Sequence, residues 1–353
     1  MGENIIFRQG KIPVFQNKTY PDVDMAINAS TGDVVLSQNV ETGLVHNCNF
    51  NPLLLDYDSN YQNEQACSIA FQSHLSDVLK IIRSQSSPTD FFIEVGCGKG
   101  FFLEMLEGAG FPVVGYDPAY EGMKSNIVKK YFNKNEVTKK PDFIILRHVL
   151  EHIAEPWEFL KSLSECGKIG TKIFIEVPCF DWIVENQAFY DIFYEHVNYF
   201  TLDALSNAFE KVIDAGRFFD GQYLYLIADL STFHFPTDFS GTIFPALTLE
   251  EHINRLLSRV RGKSGNIFIW GAGAKGSTFA LYLKNRGISI KAIIDINPVK
   301  QNRFAGVTGT PIIAHEHAKN LFDGSDIFVM NPVYQNEIEQ MAGDFDINWI
   351  KVV

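Results

Sequence analysis

The sequence has few cysteines, and their arrangement suits neither a metal site nor a disulfide framework. The five cysteines are Cys48, Cys67, Cys97, Cys166 and Cys179, and no CxxC pair occurs among them. A cysteine zinc site and a disulfide-stabilised fold are therefore both disfavoured. We expect a reducing compartment, the cytoplasm.

Long apolar runs and long basic runs are missing as well. No stretch of roughly 18 apolar residues occurs, as a membrane-spanning helix would need, and the first residues lack the pattern of a secretory signal. The net charge is -12 at pH 7. Because phosphate contacts dominate affinity for nucleic acids, we expect neither a nucleic-acid nor a membrane partner.

The chain does contain repeated signals of an α/β fold. It has 353 residues, 46% of them hydrophobic, which is enough for two or three domains. Short apolar strands alternate with helical patterns from residue 91 on, and this predicts parallel sheets. A Gly-rich turn between strand and helix occurs at 91–106 and again at 266–283, which indicates two Rossmann-like halves.

Residues 1–75 differ from the rest, because they are rich in Asn, Asp, Gln and Tyr and show only short strand patterns. We therefore predict a small β-rich N-terminal module at 1–75, a first Rossmann-like domain at 76–235 and a second at 236–353. Local patterns also predict helices at 73–84 and 247–261 and a linker at 233–243. His315 and His317 are expected in a loop or at a strand edge.

The first Gly-rich turn has the features of a nucleotide site. A strand ends in Glu94-Val95, and Gly96-Cys97-Gly98-Lys99-Gly100 leads into a helix whose N-terminal amides would face a ligand. The next strand ends at Asp117-Pro118, where a carboxylate can accept both ribose hydroxyls. A third strand opens into Arg147-His148-Val149-Leu150-Glu151-His152. The alternatives are an NAD site, which has the spacing GxGxxG, and a glycine-rich turn with a structural carboxylate.

Segment 91–160 resembles the class I methyltransferases that use S-adenosylmethionine. The resemblance implies that the glycine loop packs on the methionine part of the cofactor, that Asp117 holds the ribose, and that Arg147 and His148 flank the adenosine or the methionine. A polar stretch at 57–65 resembles the segment that folds over the cofactor in sugar methyltransferases. The predicted cofactor residues are Tyr61, Asn63, Glu94, Gly96, Cys97, Gly98, Gly100, Asp117, Pro118, Arg147 and His148.

A cluster of polar side chains follows the predicted strand 172–177. It contains Tyr194, Glu195, His196 and Tyr199, and histidine is the natural base near neutral pH. The run resembles the YEH..YF signature of nucleotide-sugar C-methyltransferases. That resemblance implies that His196 is a general base, assisted by Glu195 and by Tyr194 or Tyr199. A packed turn with a hydrogen-bonded histidine is the alternative.

No metal is predicted. His148 and His152 have HxxxH spacing, which can bind zinc on a helix, but a third ligand is not evident. The family that the chain resembles has an N-terminal zinc module with two cysteine pairs. Here the sequence Asn39-Val40-Glu41-Thr42-Gly43 stands at the second pair, and the first pair is absent near 5–10. We therefore expect the shape of the module without its metal.

The second Gly-rich turn contains a lysine. Gly271-Ala272-Gly273-Ala274-Lys275-Gly276 follows a strand, and the next strand ends at Asp295. Read alone, this pattern indicates NAD, so a dehydrogenase is an alternative. However, Lys275 could pair with a phosphate, and the block resembles the C-terminal domain of sugar C-methyltransferases. The resemblance implies a nucleotide-linked substrate held by Gly271, Gly273, Lys275, Gly276 and Asp295.

These patterns together predict methyl transfer from S-adenosylmethionine to a nucleotide-activated keto sugar or a related glycan precursor, in carbohydrate biosynthesis. We expect a monomer or a weak homodimer. Two further alternatives are an O- or N-methyltransferase that acts on another small metabolite and a non-catalytic protein with a vestigial cofactor fold.

Overall fold

The computed structural model describes residues 2–55 and 68–352. Its strands are β1 (Glu3–Pro13), β2 (Thr19–Tyr20), β3 (Thr31–Asn39), β4 (Val45–Asn47), β5 (Phe92–Val95), β6 (Val113–Tyr116), β7 (Ile127–Val128), β8 (Phe143–Arg147), β9 (Lys172–Pro178), β10 (Asn198–Tyr199), β11 (Val212–Phe218), β12 (Tyr223–Asp229), β13 (Ile267–Trp270), β14 (Ala292–Ile294), β15 (Arg303–Ala305), β16 (Pro311–Ile313), β17 (Asp326–Val329) and β18 (Asn348–Lys351). These strands form three sheets.

The α-helices of the described residues are α1 (Val23–Ile27), α2 (Ile69–Ser84), α3 (Phe101–Gly108), α4 (Pro156–Cys166), α5 (Phe180–Glu185), α6 (Leu202–Ser206), α7 (Glu250–Leu257), α8 (Ala274–Lys284), α9 (His315–Ala318) and α10 (Gln335–Ala342). Helix α2 is longer at its start than the predicted 73–84, because the Ser68 side chain accepts a hydrogen bond from the Phe71 amide and caps it. None of the helices in the described ranges is long and apolar enough to span a membrane.

The first large sheet has the strand order β11-β12-β9-β8-β5-β6-β7. Strand β12 runs antiparallel to both of its neighbours, and β5, β6, β7, β8 and β9 are parallel. Their side chains are buried almost throughout, as expected for strands that helices cover on both faces. Chain order reverses between β5 and β8, and ligands bind at the carboxyl ends of the strands at such a switch point.

The second large sheet has the order β18-β17-β13-β14-β16-β15-β2. Its chain order reverses between β13 and β17, which creates a second switch point. The edge strand β2 comes from the N-terminal region and pairs with β15, where the Arg303 Nε donates to Thr19 Oγ1 over 2.7 Å. The structure thus confirms an α/β chain with two Rossmann-like sheets.

The N-terminal residues form the smaller sheet β1-β3-β4-β10. Its last strand belongs to the polar run predicted as catalytic, since Asn198 pairs with His46 and Tyr199 with Val45. Because β2 also joins the second large sheet, residues 2–55 contact both Rossmann-like parts. The domain boundaries at 75 and 235 stay predictions.

The turn at Asn39–Gly43 lies where the second cysteine pair of a zinc module would fall. Asn39 Oδ1 accepts hydrogen bonds from the amides of Glu41 and Thr42, both over 3.0 Å. Asn39 Nδ2 donates to Glu3 Oε1 over 3.2 Å. These residues do not fit a zinc ion, because the turn is held by an amide side chain and offers no thiolate or imidazole.

Two local predictions were wrong. The helix predicted at 247–261 is only Glu250–Leu257, because Ser258 caps it and the amides of Arg261 and Gly262 donate instead to the buried Asp326 carboxylate. His315 and His317 lie in α9 and not in a loop or at a strand edge.

Candidate active site

The first glycine loop depends on glycine at the points where the backbone turns. Gly96, Gly98 and Gly100 all have positive φ angles, of 72°, 54° and 83°. A Cβ on Gly96 would lie 2.3 Å from Val149 Cγ2, so the loop also packs closely against the segment after β8. Gly100 is the N-cap residue of α3. The loop therefore directs the start of that helix to the switch point, where helix amides favour an anionic or polar ligand.

Asp117 is attached to this loop by both of its carboxylate oxygens. The Gly98 amide donates to Oδ2 over 2.8 Å, and the Ala119 amide donates to Oδ1 over 2.8 Å. The Asp117 side chain is half-buried and Pro118 is exposed. A carboxylate oxygen has two lone pairs, so Asp117 keeps acceptor capacity for a ligand hydroxyl.

Cys97 has a packing role and not a chemical one. Its side chain is buried against Gly115, where a Cβ on the glycine would lie 2.7 Å from the Cys97 Sγ. Burial, followed by the charges of Glu94 and Asp117, raises the pKa of the thiol. Cys97 is thus a packing residue of the loop, with its thiol in the neutral form.

Three ionisable side chains form a row across the carboxyl ends of neighbouring strands. Arg147 of β8 is the register partner of Glu176 in β9, and its Nε donates to Glu176 Oε2 over 2.7 Å. Glu94 of β5 pairs in register with Ile145, two residues before Arg147 and on the same face. The Arg147 guanidinium also stacks over the Phe102 ring at 4.7 Å.

Glu176 is the fixed end of this row. His74 of α2 lies with its Nε2 2.6 Å from Glu176 Oε1, and both side chains are buried. Burial opposes ionisation of Glu176, but Arg147, His148 and His74 outweigh it and hold its pKa well below the ordinary value. Glu176 is therefore a permanent anion that orients Arg147.

Glu94 is the open end of the row. Its side chain is buried, and within the described ranges its Oε2 has no hydrogen-bond partner. Burial raises its pKa to about 8, and the charge of Arg147 offsets only part of that. An amino group of Arg147, Nη2, is likewise buried without a partner among the described residues. An acceptor and a donor thus lie near one another with unused hydrogen-bonding capacity.

His148 follows β8 in an unusual backbone conformation, with a φ of 53°. Its Nδ1 lies 3.3 Å from Glu151 Oε1 and its Nε2 lies 3.5 Å from Glu176 Oε1. Burial lowers the pKa of this ring, but the two carboxylates outweigh burial and raise it to about 9. His148 is therefore a cation at neutral pH, next to the row of charged side chains.

His196 lies beside His152, with ring centroids 4.8 Å apart, and against Phe193 at 4.9 Å. Its Nδ1 is buried, with no partner in the part of the chain that the structure describes. Burial, followed by the charges of His152 and His148, holds its pKa well below the ordinary value. The imidazole is neutral at pH 7, which is the form that accepts a proton.

The two predicted catalytic tyrosines make hydrogen bonds within the fold. Tyr199 OH accepts from the Phe193 amide over 2.8 Å and donates to the Phe193 carbonyl over 2.9 Å. Tyr194 OH accepts from the Asn51 amide over 2.8 Å. Both tyrosines hold the His196 loop in place, and Glu195 is buried with its backbone carbonyl 3.0 Å from His152 Nδ1.

The second glycine loop has the same design at the other switch point. The Ala272 amide donates to Asp295 Oδ2 over 2.7 Å, and the Asn297 amide donates to Oδ1 over 2.8 Å. A Cβ on Gly276 would lie 1.9 Å from the Gly271 carbonyl oxygen, so only glycine fits there. Gly273 is the N-cap residue of α8.

Lys275 is paired with protein groups of the first Rossmann-like part. Its Nζ lies 2.7 Å from Asp191 Oδ2 and donates to Gln222 Oε1 over 2.7 Å. Gln222 in turn donates to Asn331 Oδ1 over 3.0 Å. The Lys275 side chain therefore joins the second loop directly to the loop that contains His196. A role for Lys275 in phosphate binding stays a prediction.

Sequence reasoning missed several residues of this region: His74, Glu176, Asp191 and Gln222. An acidic residue near the end of a buried strand, as at Glu176, was the available signal, because a carboxylate there needs a cationic partner. The predicted contacts of Tyr61 and Asn63 lie outside the described residues.

The comparisons with known families cover most of the chain in two parts. Residues 73–212 match the family described as "Methyltransferase domain". Residues 230–346 match the family described as "C-methyltransferase C-terminal domain". The first match contains the parallel strands β5 to β9 and the second contains β13 to β17.

A curated relative is the C-methyltransferase NovU of Streptomyces niveus. It is 30% identical to this chain over 134 residues, which are 35% of this chain and 32% of the relative. The similarity therefore spans about a third of that protein.

Two solved structures are similar to the chain at a lower level. The PH0226 protein from Pyrococcus horikoshii OT3 aligns with a TM-score of 0.40 and 12% identity, over 49% of this chain and 99% of that one. Magnesium protoporphyrin IX methyltransferase from Synechocystis PCC 6803, solved with bound SAH, aligns with a TM-score of 0.35 and 14% identity, over 47% of this chain and 88% of that one.

The parallel sheet with its glycine loop at the switch point belongs to the Rossmann-like nucleotide-binding class. Within it, residues 73–212 match a methyltransferase domain and residues 230–346 match the C-terminal domain of C-methyltransferases. The cofactor of these methyltransferases is S-adenosylmethionine.

Proposed function

We propose that this protein transfers the methyl group of S-adenosylmethionine to a carbon next to a keto group in a nucleotide-linked sugar, with His196 as general base. One observation carries the proposal. Three buried polar atoms lack hydrogen bonds within the described ranges: Glu94 Oε2 on β5, Arg147 Nη2 on β8 and His196 Nδ1 in the segment after β9. Buried polar groups are normally satisfied, so this set indicates a ligand.

The residues fit the cofactor. Its methionine end has an ammonium and a carboxylate, which match the free acceptor of Glu94 and the free donor of Arg147. Asp117 has acceptor capacity for ribose hydroxyls. When bound, the cofactor supplies an electrophilic methyl group on a sulfonium.

The properties of His196 favour a carbon atom as the acceptor of the methyl group. A hydrogen on a carbon next to a keto group is acidic enough for a positioned base, and a neutral imidazole with a free nitrogen is such a base. His196 would take the proton from that carbon, and the cofactor, when bound, would supply the methyl group to the carbon and leave as S-adenosylhomocysteine. His148, a cation at neutral pH, lies close enough to affect the charge of His196 and favours the developing enolate charge.

The nucleotide-linked sugar is supported by the C-terminal part of the chain. Residues 230–346 match a domain named for C-methyltransferases, and their glycine loop lies beside the His196 loop through the contact of Lys275 with Asp191. A ligand that contacts both the second loop and His196 would need two distinct parts, as a nucleotide-linked sugar has.

The test is turnover of nucleotide-linked keto sugars with methyl-labelled S-adenosylmethionine, in the wild type and in His196→Gln. We expect the variant to lose turnover by about 10²–10⁴-fold, as for other general bases, while cofactor affinity stays unchanged. Exchange of the acidic substrate hydrogen with deuterated water should be lost in the same variant. His234→Gln is the matched control, since His234 is also half-buried and outside the site.

A label on oxygen or nitrogen of the product would instead support the alternative, an O- or N-methyltransferase acting on another small metabolite. Normal turnover in His196→Gln would remove His196 as the base.

A further inference from the structure

Three side chains, one of them the proposed base His196, have the donor atoms of a metal site. Glu151, His152 and His196 each offer one ligand atom, and these atoms lie within 4.8 Å of one another. The HxxxH spacing of the sequence had suggested His148 with His152, without a third ligand. The structure instead places the 3-10 turn Leu150–His152 against the His196 loop.

Two of these groups have buried atoms without hydrogen bonds. Glu151 is 1% exposed; its Oε1 lies 3.3 Å from His148 Nδ1, and within residues 2–55 and 68–352 its Oε2 has no hydrogen-bond partner. The same holds for Nδ1 of His196. Burial of a carboxylate is costly unless a cation or donor compensates it. His148 supplies part of that compensation at Oε1, and Glu151 Oε2 and His196 Nδ1 keep acceptor capacity for a metal ion.

His152 is oriented as metal-binding histidines are. Its Nδ1 lies 3.0 Å from the carbonyl oxygen of Glu195. A neutral imidazole that donates this hydrogen keeps its lone pair on Nε2. Histidines that bind metals almost always donate their other N–H to a carbonyl or carboxylate in this way.

We propose that Glu151, His152 and His196 bind one divalent transition-metal ion of the zinc type, and that this ion inhibits the enzyme. Two imidazoles and a carboxylate suit Zn²⁺ or Co²⁺, which accept three protein ligands and leave a position open. The inhibition rests on the proposed function, because the ion takes the lone pair with which His196 accepts the substrate proton. Mg²⁺ prefers oxygen ligands and is expected to bind poorly.

One neighbour competes with the ion. The Nδ1 of His148 lies 3.3 Å from Glu151 Oε1, so a metal must share or displace that contact. Asn is among the residues tolerated at a positive φ such as that of His148. The variant His148→Asn should therefore keep the backbone and strengthen metal binding.

The test is titration of the full-length protein with Zn²⁺ by calorimetry and with Co²⁺ by visible absorbance, with neither cofactor nor substrate present. We expect one ion per chain. Affinity should fall at least about tenfold in Glu151→Gln and in His152→Ala, which remove one ligand each, and should rise in His148→Asn. His234→Ala is the control, because His234 Nδ1 also lies near a backbone carbonyl, at 3.2 Å from Phe235, but outside the cluster. Thermal melts verify that each variant is folded.

A second measurement connects the site to turnover. Zn²⁺ should inhibit methyl transfer competitively with the acceptor, leave cofactor affinity unchanged, and be reversed by a chelator. Absence of binding, or equal binding by the wild type, Glu151→Gln and His152→Ala, would overturn the proposal. Because binding is measured without turnover, a wrong substrate class would leave this result unaffected.

Discussion

The two glycine loops are built alike but differ in their surroundings. In each loop an amide donates to the carboxylate at the end of the next strand: Gly98 to Asp117 over 2.8 Å, and Ala272 to Asp295 over 2.7 Å. A second amide, two residues after each Asp, donates to its other oxygen. Both loops lie at a switch point of a parallel sheet.

Beside the first loop, buried polar atoms of Glu94 and Arg147 lack hydrogen bonds within the described residues. Beside the second, Lys275 is already paired with Asp191 and Gln222. The same loop backbone therefore lies beside polar atoms without hydrogen bonds at the first loop and beside a paired lysine at the second. The glycine pattern alone therefore does not determine which ligand binds. The side chains around the loop determine it.

The largest effect should come from breaking the contact at the second loop. Lys275→Met leaves Asp191 buried without its cation, and removal of one partner of a buried ion pair costs about 3–5 kcal/mol of unfolding free energy. Denaturant unfolding measures it. The exposed pair of Lys263 and Asp346 is the control, because Lys263→Met should cost under about 1 kcal/mol. Equal losses in the two variants would contradict a special role for the Lys275 contact.

A smaller effect should distinguish the glycines of the two loops. Gly276→Ala places a Cβ 1.9 Å from a carbonyl oxygen, so we expect about 3 kcal/mol of destabilisation from overpacking. Gly98→Ala meets no atom within 4 Å and should cost only about 1 kcal/mol for its left-handed backbone. Thermal melts of both variants check the order, and the reverse order would contradict the packing described here.

The smallest effect is a pH dependence that only the first loop should show. Glu94 has a pKa of about 8 and is protonated at pH 7, whereas a bound cationic cofactor favours its ionised form. Binding should therefore release a proton, and affinity should rise between about pH 6 and 8 by at most about tenfold per unit. His148, with a pKa of about 9, stays charged in that window and adds little.

Calorimetry in buffers of different ionisation enthalpy measures the released proton. The charged neighbours that affect the pKa of Glu94 are Arg147 and Asp117. In Glu94→Gln the dependence on pH should be flat. A slope as steep as that of the wild type would show that another group binds the proton.

Much of the fold was predictable from local sequence. The buried apolar runs of β5, β6 and β9 were recognised because short continuous hydrophobic runs between turn signals are distinctive. The glycines of both loops were recognised for the same reason, and the structure confirms their special backbone angles at Gly96 and Gly271.

Contacts between distant parts of the chain could not be predicted. Strands β2 and β10 have two residues each, which is too short for any periodicity, and they exist only because partner strands meet them. The pairing of His74 with Glu176 and that of Lys275 with Asp191 join positions far apart in sequence. The spacing of His148 and His152 indicated a shared helical face, but a left-handed turn at His148 separates them.

The central claim is that the methyl donor binds at the first loop and the acceptor at the second. The matched variants Asp117→Asn and Asp295→Asn test it most directly, because each aspartate accepts two backbone amides in the same way. Calorimetry with S-adenosylmethionine and S-adenosylhomocysteine should show affinity reduced about 10–100-fold in Asp117→Asn, as expected for a lost charged hydrogen bond. Affinity should be unchanged in Asp295→Asn. An unchanged affinity in Asp117→Asn, or an equal loss in both variants, would contradict the account.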